Sequence, residues 1–131
     1  DTLEPPKEVK PNEGIFLEFA PIQRRYEARL DDKHIPENAR HIEKLDALIN
    51  VFGTKDAQVL EYWLDSSMFS KWTKPAKQIP FNKELLIADL LLYINKGIEY
   101  IKTFGVYLDK DYFSKYGTKD VLEYGMTLKE Y

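Results

Sequence analysis

The sequence predicts an all-α protein, an up-and-down four-helix bundle with a short C-terminal helical extension. Three observations lead there. Four long stretches place apolar residues at helical spacing. Proline and glycine fall between those stretches. No segment shows sustained period-two alternation bounded by hairpin turns. Four amphipathic helices joined by short loops make a bundle.

Residues 1–13, "DTLEPPKEVKPNE", hold three prolines and alternating charges and read as a proline-rich N-terminal arm. A bundle is expected over 14–108. Its first helix covers about 14–32, with Phe16, Phe19, Ile22, Tyr26 and Leu30 on one face. Pro21 kinks or divides it, and Arg24, Arg25 and Arg29 make an exposed basic side. The second helix opens at Pro36 with Glu37 in its first turn and runs to Phe52 along Ile42, Leu45, Leu48 and Ile49. The third, about 55–73, turns Val59, Leu60, Trp63, Leu64, Met68 and Phe69 inward. "TKPAKQIPFN" is a proline-bounded loop that ends in the cap Asn82. The fourth, about 82–108, is the longest and most apolar. Gly97 within it costs about 1 kcal/mol relative to alanine, which a close helix crossing would explain. Residues 109–131 form the C-terminal extension with one short helix after Gly117.

Two stretches nearly repeat: "GTKDAQVLEY" at 53–62 and "GTKDVLEY" at 117–124. In both, glycine can close a helix in the left-handed conformation. The threonine can cap the next helix, and aspartate suits its first turn. The flanks do not match, so this reads as reused stop–start punctuation and not as a duplicated unit.

Composition narrows the chemistry. With 131 residues and a net charge of −3, the chain is one domain, or one domain with tails, and lacks the basic face that nucleic-acid binding needs. It has no cysteine, which excludes disulfides, thiol catalysis and zinc ribbons. The run "LLIADLLLYI" is too short for a bilayer, which needs about 20 apolar residues. A chain beginning at Asp1 reads as processed, which favours a secreted, periplasmic or organelle-lumenal protein. His34 and His41 are the two histidines. They lack convergent ligands, and Asp89, the sole acid in the greasy part of the fourth helix, has no histidine three residues on. No metal, cofactor or catalytic residue is expected, and the protein is read as a non-enzyme.

The expected contacts are with a partner. In "SKWTKPAKQIPFNK", Lys71, Lys74, Lys77 and Lys83 lie beside Trp72 with no acid among them. Such a patch steers association with an acidic surface, and equally describes a solvated loop. Tyr112, Tyr116 and Tyr124 of the extension are the other candidate contacts, tyrosine being enriched at interfaces.

A proline-bearing arm, four helices, no cysteine, a processed-looking start and the closing segment "GTKDVLEYGMTLKEY" together resemble the PsbQ-like extrinsic lumenal proteins of photosystem II, most of all the diatom extrinsic subunit. The resemblance covers the architecture of 14–131. It implies a non-enzymatic subunit, peripheral to the thylakoid membrane on its lumenal side. Such a subunit docks on the photosystem II core and other extrinsic subunits, and helps retain calcium and chloride for oxygen evolution. Two alternatives come from other classes. One is an exported bacterial immunity-type or inhibitor-binding protein. The other is a small-molecule carrier with an aromatic-lined pocket between the first and fourth helices.

Overall fold

A computed structural model describes residues 4–131. The fold is mixed α/β, which overturns the expected four-helix bundle. In chain order the elements are β1 (Glu18–Phe19), α1 (Pro36–Phe52), β2 (Gln58–Glu61), α2 (Ser66–Phe69), α3 (Lys83–Asn95), β3 (Tyr100–Thr103), α4 (Lys110–Tyr116) and α5 (Lys119–Glu130). The strands form one parallel sheet in the order β1-β2-β3. Residues 1–3 of the expected arm lie outside the described residues. The remainder, 4–13, forms neither helix nor strand.

The second expected helix is present as α1. Pro36 begins it, Glu37 lies in its first turn, and Gly53 (φ 73°) stops it, with the Gly53 N–H donating to the Ile49 carbonyl. The other three expected helices fail for separate reasons. In 14–32, Pro21 denies a helix its backbone donor, and the peptide groups before it pair with β2 instead. The Gln58 N–H donates to the Leu17 carbonyl at 2.8 Å. In 55–73, Asp56 takes a left-handed backbone (φ 58°) that ends helical propagation. Val59 and Glu61 then alternate inward against Gln58 and Leu60. In 82–108, α3 stops at Asn95, and Gly97 (φ 83°) turns the chain into β3. Gly97 does mark a close approach, but to Thr54: a Cβ there would lie 3.3 Å from that side chain. Asn82 caps α3 as expected, accepting from the Leu85 N–H at 3.1 Å.

Both crossover helices lie on one face of the sheet. The α1 ring of His41 meets Phe19 edge-on, with ring centres 6.4 Å apart. On α3, the Tyr93 hydroxyl donates to Glu61 at 2.5 Å. Phe19, Val59 and Glu61 all point to that side, in register with Ile101 and Thr103. Crossovers of one hand that step one strand at a time in one direction produce this arrangement. The core fills the space between: Leu17, Phe19, Val59 and Ile98 against Leu45, Leu48, Leu86, Leu90 and Tyr93. Residues 109–131 close over it, with Tyr124 against Trp63. The opposite sheet face carries Glu18, Gln58, Leu60, Tyr100 and Lys102. Lys102 Nζ reaches Glu18 Oε2 at 2.9 Å and Gln58 Oε1 at 2.6 Å across all three strands.

Candidate functional site

Ligands of parallel α/β sheets gather at the carboxyl ends of the strands. Here those ends lead into residues 62–82 after β2 and 104–109 after β3. Two arrangements occur there, one buried and one exposed.

The buried one centres on Arg24. Its Nη1 donates to Glu61 Oε1 at 2.9 Å and to Asp89 Oδ2 at 2.7 Å, and its Nη2 donates to the Ala28 carbonyl at 2.9 Å. Glu61 Oε2 accepts from the Tyr26 hydroxyl at 3.2 Å, and Asp89 Oδ1 from the Leu30 N–H at 2.9 Å. Among the described residues Arg24 Nε has no partner. This corrects the exposed basic side: Arg24 is 5% exposed, while Arg25 and Arg29 are surface residues that pair with Glu27 and Asp31. Burial pushes the Glu61 and Asp89 carboxyls up, against the pull of Arg24. One guanidinium does not balance two buried carboxylates, so the pair holds a proton more readily than exposed acids do. Burial works against the Arg24 charge as well, but Glu61 and Asp89 outweigh it and raise its pKa. Burial and the Glu61 charge also push the Tyr26 and Tyr93 hydroxyls up. The network ties the loop after β1 to β2 and α3. Glu61 is wholly buried.

The exposed arrangement is the loop around Trp72. Asp65 starts it by capping α2, accepting from the Met68 N–H at 3.1 Å. Ser66 Oγ donates to the Lys77 carbonyl at 2.6 Å, and the Lys77 N–H donates to Ser70 Oγ at 2.8 Å, so the loop closes on itself. Lys71 (φ 54°) and Trp72 (φ 56°) are both left-handed, and so is Tyr107 (φ 60°) in the loop after β3. The Tyr107 hydroxyl donates to the Trp72 carbonyl at 3.4 Å, and Lys74 Nζ sits 4.8 Å above the Tyr107 ring. Trp72 is 67% exposed.

The lysines and tyrosines expected as contacts divide accordingly. Lys71, Trp72 and Lys77 are exposed on this loop. Lys74 is exposed but paired with Asp109, so the patch is less positive than the sequence implies. Lys83 is half-buried at the start of α3. The tyrosines mainly pack. Tyr112 is buried and accepts from the Ile79 N–H at 3.1 Å. Tyr116 is half-buried and donates to the Ala76 carbonyl at 3.2 Å. Tyr124 is buried against Trp63. An open groove of about 370 Å³ runs between Lys74, Pro75, Asp111, Tyr112 and Lys115.

His41 is buried, and its Nδ1–H donates to the Glu37 carbonyl at 2.7 Å. Burial pushes its pKa down. Among the described residues no group of three or more acids and histidines is placed to hold a metal. Nor is any helix among them long and apolar enough to cross a membrane. Sequence reasoning missed Arg24 and Glu61. The available signal was Asp89: an acid inside "LLIADLLLYI" requires a buried cation or donor somewhere in the chain. Comparison with protein-family models, curated proteins and solved structures finds no match for this chain.

Proposed function

We propose that the chain is a non-catalytic docking module that meets an acidic partner through the loop at the carboxyl end of β2, with Trp72 as its anchor and Lys71 and Lys77 beside it. One observation carries this reading: two consecutive non-glycine residues, Lys71 and Trp72, held in left-handed backbone with the indole exposed. Each such residue costs roughly 1–3 kcal/mol and persists only where its surroundings impose it. A solvated linker has no reason to bear that cost, whereas a fixed aromatic anchor flanked by cations does.

The resemblance to photosystem II extrinsic proteins rested on a four-helix architecture and loses that support. Its specific role enters here only as one result that a binding test can return. The carrier alternative calls for an aromatic-lined pocket between residues 14–32 and α3. The cleft bounded by Tyr26, Trp63, Phe69, Phe81 and Asp89 encloses only about 20 Å³, room for about one water.

The test compares wild type, Trp72→Ala and Lys71→Glu/Lys77→Glu as immobilised bait, against soluble and detergent-solubilised membrane fractions of the source cells over a salt series. The expected result is a bound partner lost at high salt and lost in both variants, with unchanged circular dichroism. Photosystem II core subunits in the bound fraction would specify a lumenal subunit. A single soluble protein would specify an inhibitor-type module. Retention that neither variant alters would remove the Trp72 loop as the docking surface.

A further inference from the structure

The four carboxyl oxygens of the buried pair are not equivalent. Asp89 Oδ1 faces the Leu30 N–H at 2.9 Å, and Asp89 Oδ2 faces Arg24 Nη1 at 2.7 Å. Both of these partners can only donate, so Asp89 is the acid that stays charged. Glu61 Oε1 takes Arg24 Nη1 at 2.9 Å and the Tyr93 hydroxyl at 2.5 Å. Glu61 Oε2 has the loosest partners, the Tyr26 hydroxyl at 3.2 Å and the Tyr62 N–H at 3.4 Å. A hydroxyl both donates and accepts. That of Tyr26 has a second acceptor within reach, the Pro21 carbonyl at 3.3 Å. It is therefore free to donate to Pro21 while it accepts a hydrogen bond from a protonated Glu61.

Tyr26 also leads out of the cluster. Arg24 Cζ lies 4.9 Å from the centre of its ring, and the ring meets Phe69 edge-on with centres 5.7 Å apart. Phe69 ends α2, shortly before Lys71 and Trp72. At that end the Ser70 N–H donates to the Ser66 carbonyl at 2.9 Å, and the Trp72 N–H donates to the Ser67 carbonyl at 2.7 Å. One side chain thus touches both the buried charges and the element that carries the exposed loop.

Given the docking role of the Trp72 loop, on which this rests, we propose that a proton on Glu61 Oε2 regulates that loop. Tyr26 donates to Pro21 when the proton is present and to Glu61 when it is absent, and its contact with Phe69 carries the change to the loop. With the proton in place, one guanidinium faces one carboxylate. Without it, two buried carboxylates share Arg24 and repel each other where water does not screen them, and the docking surface loosens. Burial holds the Glu61 carboxyl above its ordinary value. The tight state is therefore complete at low pH and is lost as pH rises through that raised value. The groups around Glu61 are Arg24 and Tyr26 of the loop after β1, Asp89 and Tyr93 of α3, and Tyr124 of α5. On β3 the uncharged Thr103 stands beside it, and His41 of α1 feels the charge of Arg24.

Carbon-13 NMR of the side-chain carboxyls in the wild-type protein locates the proton. From about pH 4 to beyond the ordinary carboxylate range, the Glu61 carboxyl carbon is expected to move further than that of Asp89. A larger movement at Asp89 would overturn the assignment. Hydrogen exchange of the Ser70 and Trp72 amides tests the link to the loop. Its rate in wild type is divided by that in Glu61→Gln at each pH, which cancels the intrinsic chemistry and leaves His41 in both proteins. The ratio should rise at least about tenfold over the same range, the factor set by one pKa unit between the tight and the loosened loop. A constant ratio would overturn the proposal. If Glu61→Gln does not fold, Tyr26→Phe replaces it with the same expectation, since it removes the hydroxyl and keeps the ring against Phe69. Neither measurement needs a partner, so a failure here is distinct from a failure of the binding test.

Discussion

The tetrapeptide Val-Leu-Glu-Tyr occurs twice, each time shortly after Gly-Thr-Lys-Asp, and it folds in two ways. At 59–62 it supplies most of β2; at 121–124 it lies within α5. The preceding stop is the same in both places. Gly53 and Gly117 have φ 73° and 75°, and each donates its N–H to the carbonyl four residues earlier. The paths part at the aspartate. Asp56 is left-handed, whereas Asp120 lies in the first turn of α5. Burial then decides between strand and helix. Val59 and Glu61 are wholly buried between neighbouring strands and α3, while Val121 and Glu123 are half-buried and Leu122 is exposed. Local sequence sets where a helix stops; tertiary contact sets what the next four residues become.

The largest expected contrast is at the glutamates. Glu61→Ala leaves buried Arg24 with one carboxylate fewer and takes the acceptor from the Tyr93 and Tyr26 hydroxyls, and should cost about 3–5 kcal/mol. Glu123→Ala should stay within about 0.5 kcal/mol. Urea unfolding of both variants reads the difference, and similar losses would break the comparison.

A smaller effect concerns pH. Burial raises the Glu61 and Asp89 carboxyls in the folded state. Their contribution is therefore complete below the unfolded carboxylate pKa values and is lost as pH rises through the raised folded ones. Asp89→Asn removes one of these groups. As pH rises from about 4 through and beyond the ordinary carboxylate range, its urea midpoint should fall less than that of wild type, and an equal fall in both proteins would contradict the assignment.

The smallest contrast is an expected equality. A Cβ at Gly53 or at Gly117 meets nothing within 4 Å. Both glycines combine positive φ with ψ −173°, a region all but confined to glycine, so alanine at either site should cost only that backbone term, about 1–3 kcal/mol. Unequal thermal or urea shifts would show that the two stops are not equivalent.

Much of the helical punctuation was legible in the sequence. Pro36, Gly53, Asn82 and Gly117 mark real boundaries because each acts through its own backbone or side chain. The strands were not. β1 has two residues and β2 and β3 four each, too few for alternation to stand out. Where β2 ends, Tyr62, Trp63 and Leu64 are all buried. A continuous apolar run fits a helix template as well as a strand template. The Trp72 loop was legible as an exposed, proline-bounded segment. Its left-handed backbone was not, since neither lysine nor tryptophan asks for one. Asp89 announced a buried partner, but Arg24 lies 65 residues away and was one cation among several.

That separation also orders events while the chain is being made. Arg24 acquires its first carboxylate only when Glu61 has emerged, and its second only with Asp89. Leu30, wholly buried in the finished fold, donates its backbone N–H to that same Asp89. The loop after β1 is thus synthesised before the partners it needs and is among the last parts to settle. Until α3 leaves the ribosome, a growing chain keeps Leu30 and an incompletely paired Arg24 in contact with water, the condition in which nascent polypeptides attract chaperones.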